Sequence, residues 1–100
     1  MIDFKKIVGF EWDDGNSQKN HDKHGVTQGE AEELFFNEPL LIAEDQKHSV
    51  DEARFLALGK SNFGYLLTAI FTLRKKQSLI RVISIRPMSK RERKYYEQAD

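Results

Sequence analysis

The sequence predicts an α+β fold, with an antiparallel sheet of three to four strands flanked by two N-terminal helices and one C-terminal helix. Three observations predict it. The hydrophobic period is helical up to about residue 39 and strand-like from residue 40 to residue 85. Short polar turns separate the strand-like segments, and connections of about two to five residues join antiparallel neighbours, because they are too short for a parallel crossover. Helix-start signals stand before the first of these strands and again after the last. With 100 residues, 39% of them hydrophobic and including seven Phe and one Trp, the chain suits one core, so a single domain over 1–100 is expected.

The opening Ile7-Val8-Gly9-Phe10-Glu11-Trp12 is a short apolar segment closed by Asp13-Asp14-Gly15. Either aspartate can cap a first helix, expected over 14–24, because a carboxylate accepts from the unpaired amides of a first turn. Gly25 supplies the left-handed residue that commonly ends a helix. A second helix is expected over 27–36. Thr27 and Glu30 have the spacing of a capping box, with Val26 and Ala31 placed as a hydrophobic staple. Pro39 stops it. Segments 40–44, 53–59, 65–73 and 79–85 are rich in aliphatic, aromatic and β-branched residues and read as strands. Ser61-Asn62-Phe63-Gly64 and Arg74-Lys75-Lys76-Gln77-Ser78 are the turns between the last three. Simple alternation puts Ile80, Val82, Ser84 and Arg86 on one face of the last strand, and Leu79, Arg81, Ile83 and Ile85 on the other. Both faces are largely apolar, which predicts an inner strand covered on both sides. Ser89 and Glu92 form a second capping box opening the third helix.

Charge is divided unevenly along the chain. The formal balance is zero, with 16 bases and 16 acids, yet residues 1–53 carry −8 and residues 54–100 carry +8. The basic half ends in Arg86-Pro87-Met88-Ser89-Lys90-Arg91-Glu92-Arg93-Lys94-Tyr95-Tyr96, where cations and aromatics interleave. Such a stretch suits a polyanion with stackable bases, since cations neutralise phosphates and tyrosine faces stack on bases. It equally suits a solvated helix face.

Several function classes are disfavoured. Zero cysteines exclude thiolate metal sites and a cysteine nucleophile. The six glycines are scattered, so no phosphate-binding loop is present, and no serine stands in a nucleophile elbow. His21 and His24 are three apart, but His48 is the only other histidine and no carboxylate spacing completes a metal site. Neither metal nor other cofactor is therefore expected. No apolar run approaches the roughly 20 residues of a membrane span, and Met1-Ile2-Asp3-Phe4-Lys5-Lys6 has no signal-peptide pattern. A cytoplasmic location without membrane contact is expected.

Two arginines stand where a buried charge needs a reason. Arg86 closes a mostly apolar strand, where it meets an anion or opens into a cleft. Arg54 opens its strand beside Asp51 and Glu52, either as an ion pair with one of them or as an anion contact. His24, between Lys23 and Gly25, reads as a general base or phosphate contact, or as a histidine placed on a helix dipole.

These residues also carry a family resemblance. Phe10-Glu11-Trp12-Asp13-Asp14, Lys23-His24-Gly25-Val26, Glu30-Ala31, Phe35-Phe36, Asp51-Glu52-Ala53-Arg54-Phe55 and Leu58-Gly59-Lys60-Ser61 resemble, in order and spacing, the BrnT-like toxins. The closing Ile83-Ser84-Ile85-Arg86-Pro87-Met88-Ser89-Lys90-Arg91-Glu92-Arg93-Lys94-Tyr95-Tyr96-Glu97 resembles that family's end. Pro87-Met88 and the polar Gly15-Asn16-Ser17 depart from the pattern, and neither change removes a candidate catalytic group. The resemblance implies a RelE-like fold and a ribonuclease. It also implies a ribbon-helix-helix antitoxin that blocks the active face and binds operator DNA, so operator DNA is met only through that complex.

Metal-free RNA cleavage needs a base for the 2′-hydroxyl, cations for the phosphate and an acid for the leaving oxygen. Arg54 and Arg86 are the candidate phosphate clamps, because a planar guanidinium matches phosphate oxygens. His24 is the candidate for proton transfer and Tyr96 for stacking or acid work. Arg81, Ser84, Lys90, Arg93 and Lys23 are the candidate RNA contacts. The alternative is a small domain that binds nucleic acid or a protein partner without catalysis.

Overall fold

The computed structural model describes residues 2–12, 24–45 and 52–99. It is an α+β arrangement of five strands and two α-helices among those residues. The elements run β1 (Gly9–Glu11), α1 (Gln28–Leu34), β2 (Leu41–Glu44), β3 (Phe55–Lys60), β4 (Leu66–Arg74), β5 (Leu79–Pro87) and α2 (Lys90–Ala99), after a short 3₁₀ turn at Phe4–Lys6. The helix expected over 14–24 falls, but for His24, outside the described residues.

One sheet contains all five strands in the order β1-β5-β4-β3-β2. β2, β3, β4 and β5 pair antiparallel in sequence, as the short β3–β4 and β4–β5 connections require for the last three. The expectation of a purely antiparallel sheet of at most four strands needs correcting. Residues 9–11 form a fifth strand, β1, which pairs with β5 in parallel, Phe10 opposite Ile80 and Glu11 opposite Arg81. The chain between β1 and β5 is long, so the hairpin argument places no limit on their relative direction.

The face of β5 also differs from simple alternation. Val82 pairs with Phe71, but Ser84 pairs with Ile70, leaving Ile83 as the extra residue of a β-bulge. The bulge reverses the alternation that follows it. Ile85 joins Ile80 and Val82 in the core, while Ser84 and Arg86 move to the face that carries Arg81.

One face of the sheet holds the main core. Ala31 and Leu34 of α1 pack on Ala57, Ala69, Phe71, Ile80, Val82 and Ile85, all of them buried. Phe71 anchors it, meeting Phe35 edge-on with ring centres 5.2 Å apart and stacking on Phe55 at 5.5 Å. The fully buried Leu34, Phe71, Ile80, Val82 and Ile85 each contribute about 1.5–3 kcal/mol by leaving water. The helix approaches closely because β3 offers a glycine there. A Cβ on Gly59 would stand 2.8 Å from Leu34 Cγ. The Thr27–Glu30 capping box forms as the sequence predicts, and Gly25 adopts the left-handed backbone, φ +70°. At the other end of α1, Asn37 Nδ2 donates to the Lys60 carbonyl, and Glu33 accepts from the Asn62 amide in the β3–β4 turn.

The opposite face is covered in part by α2. Its buried Tyr96 packs with Leu58 and Met88 in a smaller cluster. By register the same face carries Thr68, Ile70 and Thr72 of β4 and Arg81, Ser84 and Arg86 of β5.

Candidate functional site

The Arg86 side chain emerges from the end of β5, opposite Thr68 and beside the first turn of α2. Its Nη1 and Nη2 donate to Glu92 Oε1 and Oε2 at 2.7 and 2.9 Å, a fork-to-fork ion pair. Nη1 also donates to the Pro87 carbonyl at 3.2 Å. Glu92 is the hub of this cluster. Its Oε1 accepts from Thr68 Oγ1 at 2.9 Å and from the Ser89 amide at 2.8 Å, while the Glu92 amide donates to Ser89 Oγ. The expected Ser89–Glu92 capping box is therefore present, and its carboxylate also holds a strand arginine.

The electrostatics follow from these contacts. Hydrogen bonding to Arg86 is the main cause that lowers the Glu92 carboxyl from 4.5 to about 2; bonds from Ser89 and Thr68 add to it, and partial burial opposes it. The same bond raises Arg86 further above its ordinary value. Both groups are charged at any physiological pH, so Glu92 is a poor proton acceptor. It orients the guanidinium.

A guanidinium has five N–H donors, and three of Arg86's are taken by Glu92 and Pro87. The Nε hydrogen and the outer Nη2 hydrogen remain. They lie along one edge, and no described residue accepts from them. With 36% of the side chain exposed, Arg86 presents a fixed two-pronged donor of the kind that matches two phosphate oxygens.

The bulge in β5 brings together residues that alternation separates. Arg81, Ser84 and Arg86 share this face. Arg81 donates to Glu11 at 3.1 Å across the parallel β1–β5 pair, and Arg74 pairs with Glu52 at 3.3 Å. The acidic half of the chain thus neutralises part of the basic half internally. Arg54 is half-buried just ahead of β3, and its carbonyl accepts from the Asp45 amide. The Glu52 expected beside it faces Arg74 instead. Four residues separate Arg54 from Leu58, the residue level with Arg86, or about 13 Å along the strand. Arg54 and Arg86 therefore stand at opposite ends of the face.

Lys90 and Arg93 are exposed on α2. Lys23 lies outside the described residues. His24 is half-buried and lines a cleft with Glu30, Tyr65, Pro87 and Arg93 on the far side of the β5 end. Tyr96 requires a correction. It is 1% exposed, and its hydroxyl donates to the Pro39 carbonyl at 2.6 Å, so it has no free ring face for stacking and works as a packing anchor. Its neighbour Tyr95, 63% exposed, is the outward aromatic of this helix. The residue missed by sequence reasoning is Glu92, seen there only as a helix cap. The signal available was its spacing of six from Arg86 across a strand-to-helix corner.

Fold and cluster define an α+β protein that holds a charged guanidinium in fixed orientation at an accessible sheet face. Residues 12–92 match the family described as ribonuclease toxin, BrnT, of type II toxin–antitoxin systems. The chain belongs to this family. Among solved structures, the crystal structure of the Brucella abortus ribonuclease toxin BrnT has the same fold, with a TM-score of 0.63 and 24% sequence identity. That match covers 83% of this chain and 99% of the Brucella chain. No curated protein matches.

Proposed function

We propose that this protein is a metal-independent endoribonuclease whose Arg86 stabilises the phosphate during attack by the neighbouring 2′-hydroxyl. The observation that carries the reading is the free Nε–Nη2 edge of a guanidinium locked by Glu92. A donor pair fixed before substrate arrives costs no reorganisation when charge develops on the phosphate oxygens. In this reading the guanidinium takes the electrostatic role a metal would otherwise fill. Arg81, Lys90, Arg93 and Lys23 hold the RNA backbone, with Ser84 as a hydroxyl contact beside Arg86. Arg54, at the far end of the face, addresses a separate phosphate. His24 is the proton-transfer group, the one imidazole among the described residues. RNA cleavage arrests translation and growth in the cytoplasm. A ribbon-helix-helix antitoxin neutralises the toxin by covering the Arg86 face, and operator DNA is bound only through that complex.

Cleavage of a labelled RNA in EDTA tests the reading. Arg86→Ala lowers the rate about 100- to 1000-fold, the cost of losing one transition-state donor, with a modest change in RNA binding. Expression of the same variant no longer arrests growth. If folded Arg86→Ala protein cleaves as fast as the parent, Arg86 is not the phosphate clamp. If the parent binds RNA and never cleaves it, the alternative of a binding module without catalysis replaces this one.

A further inference from the structure

Behind Arg86, on the other side of the same strand end, lies a cleft of about 490 Å³. That volume is within the range of small-ligand sites, about 300–1,000 Å³. Its floor is apolar, formed by the buried Val26 and Leu67. Its rim is chemically mixed: an imidazole (His24), a carboxylate (Glu30), a phenol (Tyr65) and a guanidinium (Arg93).

The cleft and the Arg86 cluster are built from the same three chain segments. Thr68, Arg86 and Glu92 form the cluster, and their immediate neighbours Leu67, Pro87 and Arg93 line the cleft. Adjacent residues are about 3.8 Å apart at Cα. Neighbouring strand residues face opposite sides of the sheet, so the cleft and the Arg86 edge flank one strand end, and an RNA strand that rounds this end meets both. We infer that the cleft is a nucleobase subsite for guanine, filled by the nucleotide adjoining the phosphate held by Arg86. The inference rests on the ribonuclease reading for its biological meaning.

Each wall has a part to play. Tyr65 is 62% exposed, and its backbone is fixed by two bonds to Ser61, so its ring is an accessible stacking platform on a rigid stem. Arg93 supplies a cation for the sugar–phosphate. Glu30 chooses the base. An ionised carboxylate only accepts hydrogen bonds and repels phosphate, so the group facing it must be a neutral edge rich in N–H. The Watson–Crick edge of guanine offers two adjacent donors, N1–H and the N2 amine. Glu30 is held in place because its Oε1 accepts from the Thr27 amide and hydroxyl, and its Oε2 has no partner among the described residues. His24 shares this wall, so a seated nucleotide brings its ribose near the group proposed for proton transfer.

Fluorescence anisotropy with labelled 2′-O-methyl hexanucleotides, which cannot be cleaved through the 2′-oxygen, tests the site on the full chain. A uridine strand with one central guanosine binds about tenfold more tightly than the same strand with inosine, which lacks the N2 amine. Glu30→Gln abolishes that difference, and its melting temperature stays within about a degree because glutamine also closes a capping box. Tyr65→Ala weakens both strands alike. Equal binding of guanosine and inosine strands by the parent overturns the inference, as does a folded Glu30→Gln protein that keeps the preference. Cleavage of ordinary RNA in EDTA is scored separately. Cleavage without guanine preference defeats the cleft and leaves the ribonuclease reading standing; preference without cleavage does the reverse.

Discussion

The two helices of this protein open with the same device, and the device does different work in each. At α1, Thr27 Oγ1 accepts from the Glu30 amide at 3.1 Å, and Glu30 Oε1 returns to the Thr27 amide at 3.2 Å. The carboxylate's described contacts end there, within four residues of chain. At α2, Glu92 and Ser89 exchange the equivalent bonds, and Glu92 also takes the Arg86 fork and the Thr68 hydroxyl. The difference lies in what each helix start packs against. A capping carboxylate has about four acceptor positions, and a box uses one. Whether the rest meet solvent or a guanidinium depends on the strand behind it, which is a tertiary matter. One motif thus serves as a local fastener in one place and as the seat of a strand arginine in the other.

Removing the two carboxylates breaks this comparison most directly. Glu92→Ala deletes a cap and the partner of a charged group, and is expected to cost about 2–3 kcal/mol after allowance for solvent around Arg86. Urea denaturation measures it, and RNA cleavage falls with it because Arg86 loses its orientation. An equal loss in Glu30→Ala, where only the cap goes, would show that the two boxes do the same work. Acid is the next lever. Because the Glu92 carboxyl is lowered in the folded state from 4.5 to about 2, its contribution is complete above pH 4.5 and is lost as pH falls toward 2. Melting temperature should decline over that window, and Glu92→Gln should flatten that part of the decline. An unchanged slope in the Gln variant would mean other carboxylates govern acid unfolding. Thr68→Val removes one of the hub's hydrogen bonds and leaves the fork intact; a loss of about 1 kcal/mol is expected, with cleavage nearly unchanged. The smallest effect is that of Glu30→Ala itself, about 0.5–1 kcal/mol.

Local signals made much of this fold legible. Both capping boxes, the three strands joined by short polar turns and the left-handed Gly25 follow from short-range chemistry. The parallel β1 did not, because its partner is 70 residues away at the Glu11–Arg81 bridge and three residues carry no period. The bulge at Ile83 was hidden for a different reason. Its extra residue is an isoleucine in a mostly apolar strand, so strict alternation reads on without interruption and assigns Arg86 to the wrong face. In the β4–β5 turn, Lys75, Lys76 and Gln77 all have positive φ, between 50° and 68°, without a glycine to announce it. The site was legible by residue type and less so by orientation. Arg86 and Ser84 share one face with Arg81, which lies at its far end level with Thr72, whereas Tyr95 and Tyr96 differ only in which side of α2 faces the sheet. Adjacent helical positions are about 100° apart, and sequence alone does not say which one turns inward.

The position of β5 has a consequence for the order in which the fold is completed during synthesis. β5 is the last of the described strands, yet it is inserted between β4 and β1, the first of them. A nascent chain that has emerged only through β4 leaves β1 without its partner and lacks both Arg86 and Glu92. Ribosomal synthesis delivers the segments in order, so the strand that completes the sheet and the helix that orients the guanidinium emerge together, after the other four described strands. The sheet is completed and the Arg86–Glu92 pair is formed in one folding step, which cannot begin until β5 has followed the other four described strands.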